Sequence, residues 1–141
     1  MQKVVAFLKL IRYKNLLIVA LTQFLIRFSL TETFLPFPAL TKSHFLLFVI
    51  TTVLITASGY IINDIYDVKT DRINKKRNTI IGVYLKERNA MNWYFILNGL
   101  AFILGIFLAI DIGKPLYSLI FLYCIFILWH YSKNMKKVFL I

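Results

Sequence analysis

The sequence has little cysteine, little acid and little charge of any kind. Its 141 residues hold a single cysteine, Cys124, which excludes a disulfide framework and any multi-cysteine metal site. Only six residues are acidic against 17 Lys and Arg, giving a formal net charge of +11. Charged residues make up 16% of the chain, where a soluble domain carries about a quarter. Internal repeats and low-complexity tracts are lacking too. In their place stands apolar matter: 60% of residues are hydrophobic and the mean hydropathy is +0.73. So much apolar surface has no polar counterpart to cover it, which argues against a soluble single domain. The same arithmetic excludes disorder. The basic excess does not point to nucleic acid, because the bases track loops facing one side and bring no stacking platform. In an apolar chain, Lys and Arg mark the cytoplasmic ends of membrane helices.

Four apolar stretches predict four transmembrane helices at 15–31, 45–62, 93–110 and 116–132. Each is 17 or 18 residues long, close to the shortest helix that crosses a hydrocarbon core of roughly 30 Å. Helices are required, since backbone exposed to lipid must satisfy its own hydrogen bonds. The flanking bases number four, one, seven, one and three along the chain. That alternation fits four crossings with the N-terminus in the cytoplasm. It places a basic connection, 63–92, on the cytoplasmic side of an all-α polytopic protein of the inner or cell membrane. Trp93 and Tyr94 at one span end, with Trp129 and Tyr131 at another, suit an interfacial aromatic belt. The first apolar run is long for a signal-peptide core and no small-x-small cleavage site follows it, so it is read as retained. Pro36 and Pro38 are expected to close it in a turn.

The chemistry concentrates between Gly59 and Arg72. Three of the six acids fall within eight residues there. On a helix, Asp64, Asp67 and Asp71 lie within an arc of about 60°, with Asn63 one turn before Asp67. Like charges at this spacing repel unless cations sit among them. They also stand at a helix C-terminus, where the macrodipole disfavours anions, so an ordinary solvated cap explains them poorly. Mg²⁺ prefers oxygen ligands and combines one or two carboxylates with substrate phosphates. Acids at a membrane helix end with a basic fringe therefore suit a Mg²⁺–diphosphate complex.

The run Asn63-Asp64-x-x-Asp67-x-x-x-Asp71 resembles the first aspartate motif of the UbiA superfamily of intramembrane prenyltransferases. Arg12-Tyr13-Lys14-Asn15 is similar to the Arg-x-x-Asn with which the family begins its first helix. Asp71-Arg72-Ile73-Asn74 is similar to its Asp-x-x-Asn continuation. Tyr131-Ser132-Lys133, with Lys136 and Lys137, resembles its Tyr-Ser then Lys pattern at the end of the fourth helix. The resemblance implies a nine-helix bundle around a central cavity, of which this chain would hold the N-terminal four. It implies transfer of a polyprenyl group from its diphosphate to a lipid or aromatic acceptor, with Mg²⁺ as cofactor. It assigns Asn63, Asp67 and Asp71 to catalysis, and the same three with Asp64 to metal. Asn15, Asp64, Arg72, Tyr131 and Lys136 are the candidate substrate contacts.

Two departures stand beside the resemblance. No acid follows Asp111, so the family's second aspartate motif is missing from these residues. The segment from Asn74 to Gly82 lacks the prolines many members carry. Among subfamilies, the stretches Phe7–Arg12, Gly59–Asp64 and Asp67–Asp71 look most like bacterial relatives of geranylgeranylglycerol-phosphate geranylgeranyltransferase. Aromatic-acceptor enzymes of quinone synthesis are the rival, and a non-catalytic four-helix binding protein or a transporter fragment are the alternatives outside prenyl transfer. Of the remaining polar residues, Arg27 is expected to snorkel to the outer interface. His44 and His130 are expected to be interfacial, and Cys124 to pack in the interior.

Overall fold

The computed structural model describes residues 2–31, 40–73 and 80–135. Five α-helices carry the described chain: α1 (Gln2–Leu10), α2 (Tyr13–Ile26), α3 (Lys42–Ile73), α4 (Glu87–Asp111) and α5 (Ser118–His130). A π-helical turn, Arg27–Thr31, continues α2, and another, Tyr131–Met135, continues α5. A 3-10 turn, Pro115–Tyr117, leads into α5 with its proline at the first position, where the missing N–H costs nothing. Among the described residues there is no strand, only an isolated bridge between Ile81 and Leu85.

Three stretches are long and apolar enough to cross a membrane: Lys42–Val68, Glu87–Asp111 and Pro115–Asn134. They contain the expected spans 45–62, 93–110 and 116–132 and run past them, because the backbone stays helical after the sequence turns polar. Residues 63–73 of the expected connection are therefore helical, and so are residues 87–92. The first expected span, 15–31, is a 14-residue α-helix plus the π-helical turn and is not among the three. The turn expected around Pro36 and Pro38 lies outside the described residues.

Helix α3 is the common spar, touching α1, α2, α4 and α5. Its broadest contact is with α4. Leu10 of α1, Ile61, Ile62 and Ile65 of α3, and Ala90 and Leu97 of α4 form one apolar cluster. Ile55, Ala101, Leu108 and Phe121 form a second one towards the other membrane face. Small residues allow close approach, as is usual between membrane helices. At Gly105 an added Cβ would stand 2.5 Å from Phe121 Cδ2, and at Gly59 it would stand 3.0 Å from Leu128 Cδ1. Gly113 ends α4 with φ +71, a left-handed conformation that favours glycine.

Polar contacts join the helices at several depths. Gln23 Nε2 of α2 donates to Thr52 Oγ1 of α3 at 2.9 Å. Ser58 Oγ of α3 donates to Asn98 Oδ1 of α4 at 2.7 Å, and Asn98 Nδ2 donates to the Tyr94 carbonyl at 3.0 Å. His44 at the start of α3 pairs with Asp111 at the end of α4. Two sequence expectations are corrected here. Arg27 does reach the outer start of α3, but its head is buried rather than open to the interface, donating to the carbonyl of Leu40 at 3.0 Å with its guanidinium 4.5 Å from the Phe45 ring centroid. Backbone acceptors within reach hold the charge better than an extended side chain would. Cys124 is exposed rather than packed, because Phe121, Ile125 and Leu128 supply the inward face of α5.

Candidate diphosphate and metal site

The last turns of α3 carry the acidic motif, and their neighbours divide its side chains between two jobs. Asn63 Nδ2 donates to Asp67 Oδ2 at 3.1 Å across one helical turn. This i,i+4 contact follows from the helix alone. It fixes an amide and a carboxylate together, with both side chains half-buried. Asp64 is turned towards α1 and α2. Its Oδ1 accepts a hydrogen bond from Arg12 Nη2 at 3.0 Å. The same guanidinium lies 4.9 Å from the centroid of the Tyr60 ring, one turn earlier on α3.

Arg12 reaches this position because the chain breaks between α1 and α2. Its backbone is left-handed, φ 52 and ψ 53, a conformation that costs a non-glycine residue roughly 1–2 kcal/mol. The Arg12 carbonyl then accepts from the N–H groups of Asn15 at 2.8 Å and Leu16 at 3.2 Å, which starts α2. Leu10, fully buried against α3, anchors the other side of the break. The strain sits beside the motif, as stored backbone strain commonly sits at functional sites.

Of the residues singled out in the sequence, Asn63 and Asp67 come together, and Asp64 stands one residue away with a cation of its own. Asp71 and Arg72 occupy the final turn of α3, but their side chains lie outside the described residues. Lys136 also lies outside them. Asn15 is exposed on the first turn of α2, three residues after Arg12. Tyr131 is exposed on the π-helical turn that packs against α3. Among the described residues, no three His, Cys, Asp or Glu side chains are grouped to hold a metal. The expected metal set of Asn63, Asp64, Asp67 and Asp71 draws its last member from beyond them. The donors at Asn63 and Asp67 are nevertheless oxygen atoms on one face, which suits the hard oxygen preference of Mg²⁺.

Sequence reasoning had no role for Arg12 as the partner of Asp64. The available signal was the Arg12-x-x-Asn15 spacing. The left-handed break itself carries no glycine or asparagine to announce it.

Residues 14–141 match the model of the UbiA prenyltransferase family. A protein of Sulfolobus acidocaldarius named digeranylgeranylglyceryl phosphate synthase is 30% identical over 137 residues, 96% of this chain and 46% of the relative. Proteins of the same name from Sulfurisphaera tokodaii and Saccharolobus solfataricus are 33% and 38% identical over 85 residues, 60% of this chain and 28% of each relative. The chain thus spans about half the length of the first of these relatives. No solved structure gives a significant match.

Proposed function

This chain belongs to the UbiA prenyltransferase family, and on that footing we propose that it supplies the diphosphate-binding face of an intramembrane prenyltransferase. In the proposed reaction the C–O bond between the polyprenyl group and its diphosphate breaks. An acceptor hydroxyl bonds to the allylic carbon and gives up its proton. The acceptor we favour is geranylgeranylglyceryl phosphate, a reading supported by the names of the three archaeal relatives.

The observation that carries this reading is the Asn63–Asp67 contact beside the Arg12–Asp64 ion pair. Asn63 orients the Asp67 carboxylate, and Arg12 compensates Asp64, so that the neighbouring anions can lie side by side. Asn63, Asp67 and Asp71, with Asp64 as a fourth, would hold Mg²⁺. When bound, Mg²⁺ supplies charge stabilisation to the phosphate oxygens of the leaving group. Arg72, Asn15, Tyr131 and Lys136 are assigned to substrate contact by motif position. The apolar helices belong to an integral membrane protein. We infer a cytoplasmic N-terminus and motif in the cell membrane from the alternation of basic residues. On this reading α2 with its π-helical turn makes the first crossing, added to the three long helices, and the four are part of a nine-helix bundle.

The test uses membranes containing the protein, labelled geranylgeranyl diphosphate and geranylgeranylglyceryl phosphate. Asp67→Ala should lower product formation by about a hundredfold or more. Unchanged turnover would sink the reading. The alternative reading is binding without turnover. Calorimetric titration with Mg²⁺ and a non-hydrolysable diphosphate analogue would then show binding where the prenyl assay shows none. Product formed by this chain alone excludes it.

A further inference from the structure

A groove of about 400 Å³ opens on another flank of α3, walled by Ile62 and Tyr66 of α3, Tyr94 and Phe95 of α4, and Phe126 and Trp129 of α5. Ile62 and Tyr66 lie about 100° round the helix from Asn63 and Asp67, so this groove is separate from the motif face. Its volume falls within the roughly 300–1,000 Å³ of small-molecule sites. Its walls are aliphatic and aromatic, which selects an apolar chain. The rim is different. Lys133, one turn beyond Trp129, sets its ammonium 4.7 Å from the centroid of the Trp129 ring. Lys133 is exposed, so its charge is available to an anion held at the groove's end.

An apolar slot ending in a cation matches one kind of molecule already abundant around membrane helices, a lipid with an anionic phosphate head. Basic positions between helices at a membrane surface bind such heads. A neighbouring protein helix would satisfy the walls but leave Lys133 unanswered unless it carried an acid at that level. We propose that the groove between α3, α4 and α5 is a lateral binding site for an anionic phospholipid. One chain lies along Tyr94, Phe95 and Phe126, and the phosphate pairs with Lys133. The proposal is argued from the groove and Lys133 alone, and its test reads bulk-lipid preference without any prenyl substrate, so its failure is distinguishable from failure of the prenyl transfer reading.

The chain has two tryptophans, Trp93 and Trp129. In Trp93→Phe, Trp129 is the remaining tryptophan and reports from the groove wall. The protein is reconstituted in vesicles containing brominated phosphatidylglycerol or, at equal mole fraction, brominated phosphatidylcholine. Quenching of Trp129 should be at least twofold stronger with the anionic lipid. Lys133→Ala should abolish the preference, and Lys133→Arg should restore it. Equal quenching by the two lipids, or a preference that survives Lys133→Ala, overturns the proposal. Absence of quenching by either lipid overturns it too, because protein then fills the groove. Native mass spectrometry of the unsubstituted chain gives a second reading: phosphatidylglycerol should remain bound where phosphatidylcholine is lost, and equal loss of both refutes the site.

Discussion

Replacing Arg12 separates the backbone cost of the helix break from the electrostatic work of its side chain. In Arg12→Ala the contact with Asp64 and the stacking on Tyr60 both disappear. The ion pair is partly solvated, with the Arg12 side chain 44% and that of Asp64 24% exposed. After discounting for screening it is worth about 0.5 kcal/mol. The cation–π contact adds about 0.5–1 kcal/mol. Arg12→Ala should therefore destabilise the protein by about 1–1.5 kcal/mol while keeping the left-handed strain. Arg12→Gly loses the same contacts but relieves roughly 1–2 kcal/mol of that strain, less about 0.4–1 kcal/mol for the freedom glycine adds to the unfolded chain. Taking the middle of both ranges, glycine should thus be more stable than alanine by about 0.8 kcal/mol, read as a higher melting temperature in detergent. On the proposed reading, in which Asp64 helps to hold Mg²⁺, turnover should fall by about tenfold or more in both variants, because a group that orients a metal-site carboxylate typically contributes that much. Equal melting temperatures for the two variants would refute the strain argument. Full turnover in either would remove Arg12 from the site.

Four further outcomes follow from the packing and the motif. Gly105→Ala drives a methyl group into the Phe121 ring and should destabilise the α4–α5 contact by about 1–3 kcal/mol, seen as a lower melting temperature. In a double-mutant cycle, Ser58→Ala and Asn98→Ala should show a coupling of about 0.6 and at most about 1.7 kcal/mol; additive effects would mean that their hydrogen bond contributes nothing. Asn63→Ala should weaken turnover less than Asp67→Ala, since it removes the group that orients the carboxylate and leaves the charge, as parallel assays can show. Chelating divalent ions should abolish product formation, and Mg²⁺ added back should restore it if oxygen ligands hold the metal.

Much of the fold follows from the apolar runs, and the differences have physical causes. The second, third and fourth runs mark the three long helices because nothing but a helix can satisfy their backbone in lipid. Their ends were less legible. Hydropathy stops at Ile62, whereas the α3 backbone has no reason to stop before Ile73. The motif's helical spacing was readable for the same reason, and the Asn63–Asp67 contact follows from it. The Arg12–Asp64 pair was not readable, since the partners are 52 residues apart and meet only because a left-handed residue breaks the chain between α1 and α2. For Arg27, depth gave the direction of the side chain but not its burial. The carbonyls of Leu40 and Thr41, brought back beside it by the chain's return, offered a nearer acceptor.

The polar contacts along α3 bear on more than cohesion. Lipid tails are as apolar as the helix faces, so the solvent does not penalise one smooth membrane helix sliding past another. A slip of one turn is about 5.4 Å. For α2, such a slip would part Gln23 from Thr52 deep in the bundle and carry Arg12 out of reach of Asp64 at the surface. The hydrogen bond at Gln23 thus works as a gauge, setting from within the bilayer the height at which a distant guanidinium meets its carboxylate. Gln23→Leu, about three turns of α3 away from the Asn63–Asp67 contact, should then be felt first as disorder in the charge pattern around Arg12 and Asp64.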